Sequence, residues 1–180
     1  MSDDDPAASE PRTEDGNAGG LTALLGGPDA HTSRELHLLS VVPVAFIAVL
    51  GGYHPWVAAP LVAGVMLPEL DAIDQRLHRS WLLHTFTVPA VAYWALVRTG
   101  LGATSPWLVT TVHFLALGMG VHFLADYVYP RGMDHPGAEW PVRPVFFSAP
   151  WGLIWLGVAW FVQWFAYLSP AFLPWVALHF

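Results

Sequence analysis

The chain contains no cysteine and no lysine. Without cysteine there can be no disulfide, no thiolate nucleophile and no Cys-based metal site, so any metal has to be held by imidazole and carboxylate. Without lysine, arginine carries all seven basic charges. Together with an acidic soluble tail, that usage suits a salt-loving, archaeal-like host. Charge of either sign is scarce, at 12% of 180 residues, against 54% hydrophobic residues and a mean hydropathy of +0.45. That balance is too apolar for an ordinary soluble domain of this size and points to a small polytopic membrane protein. The net charge of −7 comes mostly from residues 1–35, which hold eight acids and two arginines, so no nucleic-acid partner follows from it.

The start of the chain, MSDDDPAASEPRTEDGNAGG, is acidic and rich in Gly, Pro and Ser, with no apolar periodicity to bury. Residues 1–34 are expected to form a disordered tail and 35–180 a transmembrane helical domain. The tail has neither the basic start nor the apolar core of a cleavable signal peptide, so the first membrane helix is expected to do the targeting.

A membrane helix needs about 20 mainly apolar residues to cross a core of roughly 30 Å. The expected fold class is an all-α bundle of about five transmembrane helices. They are expected near His37 to Tyr53, at HPWVAAPLVAGVML (54–67), and near Trp81 to Val97, Trp107 to Tyr129 and Val145 to Leu168. Pro130 and Pro170 are expected to end the last two, leaving SPAFLPWVALHF as an interfacial end. Trp56, Trp81, Trp107, Trp140 and Trp151 fall near span ends, as an aromatic belt would place them. If the spans alternate, Arg12, Arg34, Arg76, Arg79, Arg131 and Arg143 share one side and Arg98 has the other. The positive-inside rule makes the first side cytoplasmic, N-terminus included.

Past residue 35 every carboxylate lies in one of two short clusters, Glu69/Asp71/Asp74 and Asp126/Asp134/Glu139, both on that side. Near a bilayer a charged side chain costs roughly 2.5–3.5 kcal/mol on insertion scales, so such groups need partners, water or a metal. In LPELDAIDQRLHRSWLLHTF (67–86), Glu69, Asp71 and Asp74 project from a polar turn after Pro68. His84 is expected about one turn inside the next helix. Carboxylates with neutral imidazoles suit zinc, manganese or similar ions, and a mostly carboxylate set suits magnesium. A plain interfacial loop is the competing reading, with Asp71 or Asp74 pairing Arg76 or Arg79. In GVHFLADYVYPRGMDHPGAEW, His122 and Asp126 are four apart and share a helix face. Asp126 either joins a metal site or locks the His122 tautomer. His37 begins the first helix on the same side, while His54 and His113 belong to the far side or mid-span. The Trp151/Trp155 and Trp160/Trp164 pairs suit lipid-facing or packing surfaces.

These residues resemble the membrane-bound metal-dependent hydrolase family, the LexA-regulated YdjM-like group. Its marks are a THxxxG-like histidine, LPDID, HRGxTHS and a later HxxxD before a Pro/Gly turn. Here RELHLLS supplies His37, LPELD supplies Glu69 and Asp71, HRSWLLHT supplies His78, Arg79 and His84, and HFLADYVYPRG supplies His122 and Asp126. Glu69 replaces the first Asp, Ala72 stands where a His is usual, Thr85 replaces Ser, and His78 and His84 are six rather than five apart. The resemblance covers about residues 36–147. It implies a divalent ion, with zinc, manganese or magnesium as candidates, held by Glu69, Asp71, His84, His122 and Asp126. His37 and His78 would complete or orient that set, Asp74 is a further candidate ligand, and Arg79 would hold a phosphate or carboxylate oxygen. The implied activity is hydrolysis of an ester or phosphoester, lipid-like or small, at the cytoplasmic face of the cell membrane. A different class remains open, a non-catalytic membrane protein that binds or conducts metal ions or protons, as does a structural relative in which the motif only supports packing.

Overall fold

The computed structural model describes residues 28–73, 82–128 and 149–180. Expectations for residues 1–27, Asp74, His78, Arg79 and the 130–144 loop lie outside that range. Each described element is helical, with no strand among the described residues. Helix α1 spans Pro28–Leu50, so it takes in residues 28–34 of the expected tail. A 3-10 turn, Pro55–Val57, leads into α2, Ala58–Met66, and a second 3-10 turn follows at Pro68–Ile73. Then come α3, Thr87–Thr99, a short α4, Leu101–Thr104, and α5, Pro106–Val128. The chain closes with α6, Ala149–Gln163, a π-helical stretch, Trp164–Phe172, and α7, Leu173–His179.

Local chemistry explains the boundaries. Gly100 ends α3 in the left-handed region at φ 75°, where a Cβ would be strained. Pro106 opens α5, a position whose N–H has no helical partner to lose. Two boundaries depart from expectation. Helix α3 begins at Thr87, not near Trp81, and His84 therefore sits in the preceding turn. A helix running from Trp81 would carry Pro89 in its interior, where the ring collides with the carbonyl of Thr85; starting at Thr87 puts Pro89 in the first turn. At the other end, Pro170 does not stop the helix. The wide π turns, with the Leu173 N–H reaching back five residues to the Leu168 carbonyl, absorb the proline and carry the chain on to His179.

Helix α5 is the hub, packed on α1, α2 and α3. Its closest partner is α2, and the reason is a pair of glycines. A Cβ on Gly64 would overlap the Leu115 carbonyl, and one on Gly118 would overlap the Leu61 carbonyl. Only two hydrogens separate the backbones there, the small-residue packing that apolar helices use when lipid offers no hydrophobic gain. Around this crossing Val41, Ala48, Val57, Leu61, Val65 and Phe114 form one buried cluster. A second cluster, Ala90, Val112, Ala116, Tyr167, Leu168 and Phe172, joins α5 to α3 and the π-helical stretch.

Two described stretches are long and apolar enough to cross a membrane, Pro106–Ala125 and Leu156–His179. The second, only 22% buried, turns most of its large apolar side chains outward, whereas Pro106–Ala125 is packed among its neighbours with only Pro106, Trp107 and Leu124 exposed. Leu39, Phe46 and Leu50 of α1 and Trp160, Phe161 and Trp164 near the C-terminus are exposed as well.

The glycine crossing generates a direct test. Gly64→Ala and Gly118→Ala are each expected to lower the unfolding midpoint in detergent, by about 1–3 kcal/mol of overpacking. Gly157→Ala, where an added Cβ meets nothing within 4 Å, should be neutral or slightly stabilising. Thermal unfolding of the three variants beside wild type checks this.

Candidate metal centre

Four separate chain segments converge at one end of the α2–α5 crossing. On α1, Val41 and Ala48 are buried and Val44 and Ala45 partly so, and one turn before Val41 the same stripe presents His37, only 5% exposed. On α5, Phe114, Gly118 and His122 recur every four residues on the face toward α2, and His122 is 2% exposed. Past Met66, Pro68 has no N–H with which to continue the α-helical ladder, and the chain tightens into the 3-10 turn that carries Glu69. His84 arrives from the turn before α3 and is buried at 8% exposure.

His37 Nδ1 lies 3.3 Å from Glu69 Oε1. The His37 ring stacks on His122 with centroids 4.3 Å apart and planes at 22°. His84 meets His122 edge-on at 5.7 Å, and Phe123 lies beside both, 6.1 Å from His84 and edge-on to His122 at 6.0 Å. One ligand atom each from His37, Glu69 and His122 lie within 4.8 Å of one another. Two imidazole nitrogens and a carboxylate oxygen are a donor set that zinc and similar divalent ions accept. Bonds of about 2.0–2.1 Å in a tetrahedron give an edge of about 3.3–3.4 Å, close to the His37–Glu69 separation. If His37 is protonated, the same contact is an ion pair.

Of the expected ligands, the structure thus brings together His37, Glu69 and His122, with His84 against them. Asp71 lies in the Pro68–Ile73 turn and Asp126 on α5 one turn beyond His122, both with side chains outside the description. His54 stays apart, its Nδ1 accepting the Trp56 N–H at 3.3 Å to start the first 3-10 turn. His113 is buried nine residues before His122, with Nδ1 3.1 Å from the Tyr167 hydroxyl and its ring stacked on Trp175. Tyr167 in turn points toward the Val112 carbonyl at 3.5 Å.

Sequence reasoning noted Thr85 beside His84 but did not find its partner. That partner is Gln163, the last residue of α6, which lies 3% exposed and donates from Nε2 to Thr85 Oγ1 at 3.1 Å and Thr87 Oγ1 at 2.7 Å. The signal was there to read: Gln163 is the one amide in an otherwise apolar run.

No protein-family model, curated protein or solved structure matches this chain. The reading of the site therefore rests on its own geometry.

The His113–Tyr167 bond links α5 to the C-terminal helix well away from the cluster. Tyr167→Phe is expected to cost about 0.6–1.7 kcal/mol, the range found for hydrogen bonds between membrane helices. Thermal unfolding measures the loss.

Proposed function

We propose that the chain is a membrane-embedded, metal-dependent hydrolase of the kind its motifs resemble, acting on an ester or phosphoester. The observation that carries the reading is the meeting of His37, Glu69 and His122, three donors far apart in sequence, the two histidines buried and Glu69 half-buried in an apolar helical frame. Ionisable groups brought together within apolar, membrane-type segments generally mark function. In this proposal the chain is a polytopic bundle of about five helices. The two long apolar stretches cross the cytoplasmic membrane, the shorter helices His37–Leu50 and Pro55–Met66 together with α3 complete the bundle, and the arginine-rich side, N-terminus included, is cytoplasmic.

His37, Glu69 and His122 hold the divalent ion, with His84 as fourth donor or orienting neighbour, and Asp71, Asp74 and Asp126 as further candidates in the same motifs. Once bound, the ion supplies Lewis acidity toward a carbonyl or phosphoryl oxygen. Glu69 contributes the negative charge that offsets the cation. The stacked His37 and His122 rings fix their nitrogens relative to it, and Phe123 limits water on one side. His78 and Arg79 remain the proposed groups for the substrate, the guanidinium offering a planar fork to a phosphate or carboxylate oxygen.

An ion- or proton-conducting role has less support. On α5 the eight residues between His113 and His122 are all apolar, and Phe114, Ala116 and Met119 are fully buried. A polar path along this helix would have to cross that layer.

Elemental analysis of detergent-purified protein tests the reading. Wild type should retain near-stoichiometric metal after reconstitution with zinc, manganese or magnesium, whereas Glu69→Gln and His122→Ala, checked for monodisperse folding, should lose it. Metal-free wild type under all three conditions would overturn the proposal. With the ion identified, wild type should hydrolyse an amphiphilic carboxyl or phosphate ester in mixed micelles, and His122→Ala should not.

A further inference from the structure

Gln163 occupies an expensive position. It is 3% exposed in a stretch that is otherwise apolar, and it spends its Nε2 on two hydroxyls 76 and 78 residues earlier in the chain. Its own Oε1 is buried with no partner among the described residues. An amide that served only to satisfy itself would engage both ends; this one is committed to a particular turn. That turn, residues 82–86, carries His84 and has no helical ladder of its own to hold it. The Thr85 and Thr87 hydroxyls lie 2.7 Å apart, and Thr85 Oγ1 also accepts the Thr87 N–H at 3.3 Å, so one amide grips the turn at the point where α3 begins. Phe86 packs against Phe123, Trp160 and Phe172, which holds the turn down but gives it no direction. The hydrogen bonds give that direction.

We infer that Gln163 is a positioning residue: through Thr85 and Thr87 it fixes His84 against His122, coupling the C-terminal apolar helix to the metal centre. The inference rests on the proposed metal site for its functional meaning, but the positioning itself can be read without metal. Groups that orient metal ligands from outside the coordination sphere typically change affinity by about 10–100-fold when removed.

The experiment compares wild type, Gln163→Met, Gln163→Glu and Thr87→Val. In metal-free protein, carbethoxylation of each histidine by diethyl pyrocarbonate is followed by mass spectrometry; in parallel, Co2+ is titrated by its visible absorption, whose intensity reports coordination geometry. In Gln163→Met and Thr87→Val, His84 should lose its protection while His37 and His122 keep theirs, and Co2+ affinity should fall about 10–100-fold with an altered spectrum. Gln163→Glu should restore both, because carboxylate and carboxylic acid alike can bond to two rotating hydroxyls. Should Gln163→Met not fold, Thr87→Val carries the test. Unchanged His84 protection and Co2+ affinity would overturn the inference, as would equal exposure of all three histidines, which marks a merely structural role. If wild type binds no Co2+ but His84 opens selectively, the positioning stands and the metal reading falls.

Discussion

The whole arrangement hangs on the contact between Gly64 and Gly118. Two backbones that approach this closely have no freedom to slide or rotate, because each glycine is seated against a carbonyl of the other helix. His122 follows Gly118 by one turn on the same face, and Glu69 follows the end of α2 after a proline-forced tightening. The contact therefore fixes more than packing. It sets the distance between a carboxylate and an imidazole that neither helix could set alone, and α1 adds His37 by running its buried stripe along the same seam.

A second principle is the placement of polar groups in a chain with little charge to spend. The described polar side chains that are buried nearly all have a visible task. His113 bonds Tyr167 between helices, Gln163 grips the turn before α3, His37 and His122 gather with Glu69, and His84 meets His122 edge-on. The described helices between these points are mainly apolar, which lowers the local dielectric and strengthens each directed contact. The outward faces of α1 and the C-terminal helices are left to large apolar side chains.

Much of this was legible in the sequence. Apolar runs separated by proline and glycine announce helices, and of the wider set of ligands expected from the motifs the fold gathers His37, Glu69 and His122. What was not legible depends on tertiary compensation. Periodicity from Trp81 onward looks continuous, yet Pro89 tolerates a helix only if it begins late, and this moves His84 from a helix into a turn. Pro170 reads as a stop signal, but packing of Tyr167, Leu168 and Phe172 against α5 and α3 sustains a π-helical passage through it. Gln163 was overlooked because a lone amide among tryptophans and phenylalanines has no local motif; its partners lie more than seventy residues away.

The π-helical passage has a bearing on how such a chain can change over time. Buried positions there fall at Gln163, Tyr167, Leu168 and Phe172, a rhythm that an α-helix would not keep, and Trp175 beyond them must still reach Tyr53 and His113. Side chains on its outer face, such as Phe165, are exposed and can be exchanged at little cost. Loss or gain of one residue is another matter: it would swing everything downstream by roughly 100° about the axis and strand both aromatic contacts. The outer face of this stretch is therefore permissive to substitution, while the stretch as a whole is closed to insertion and deletion, so its length constrains change more than its exposed side chains do.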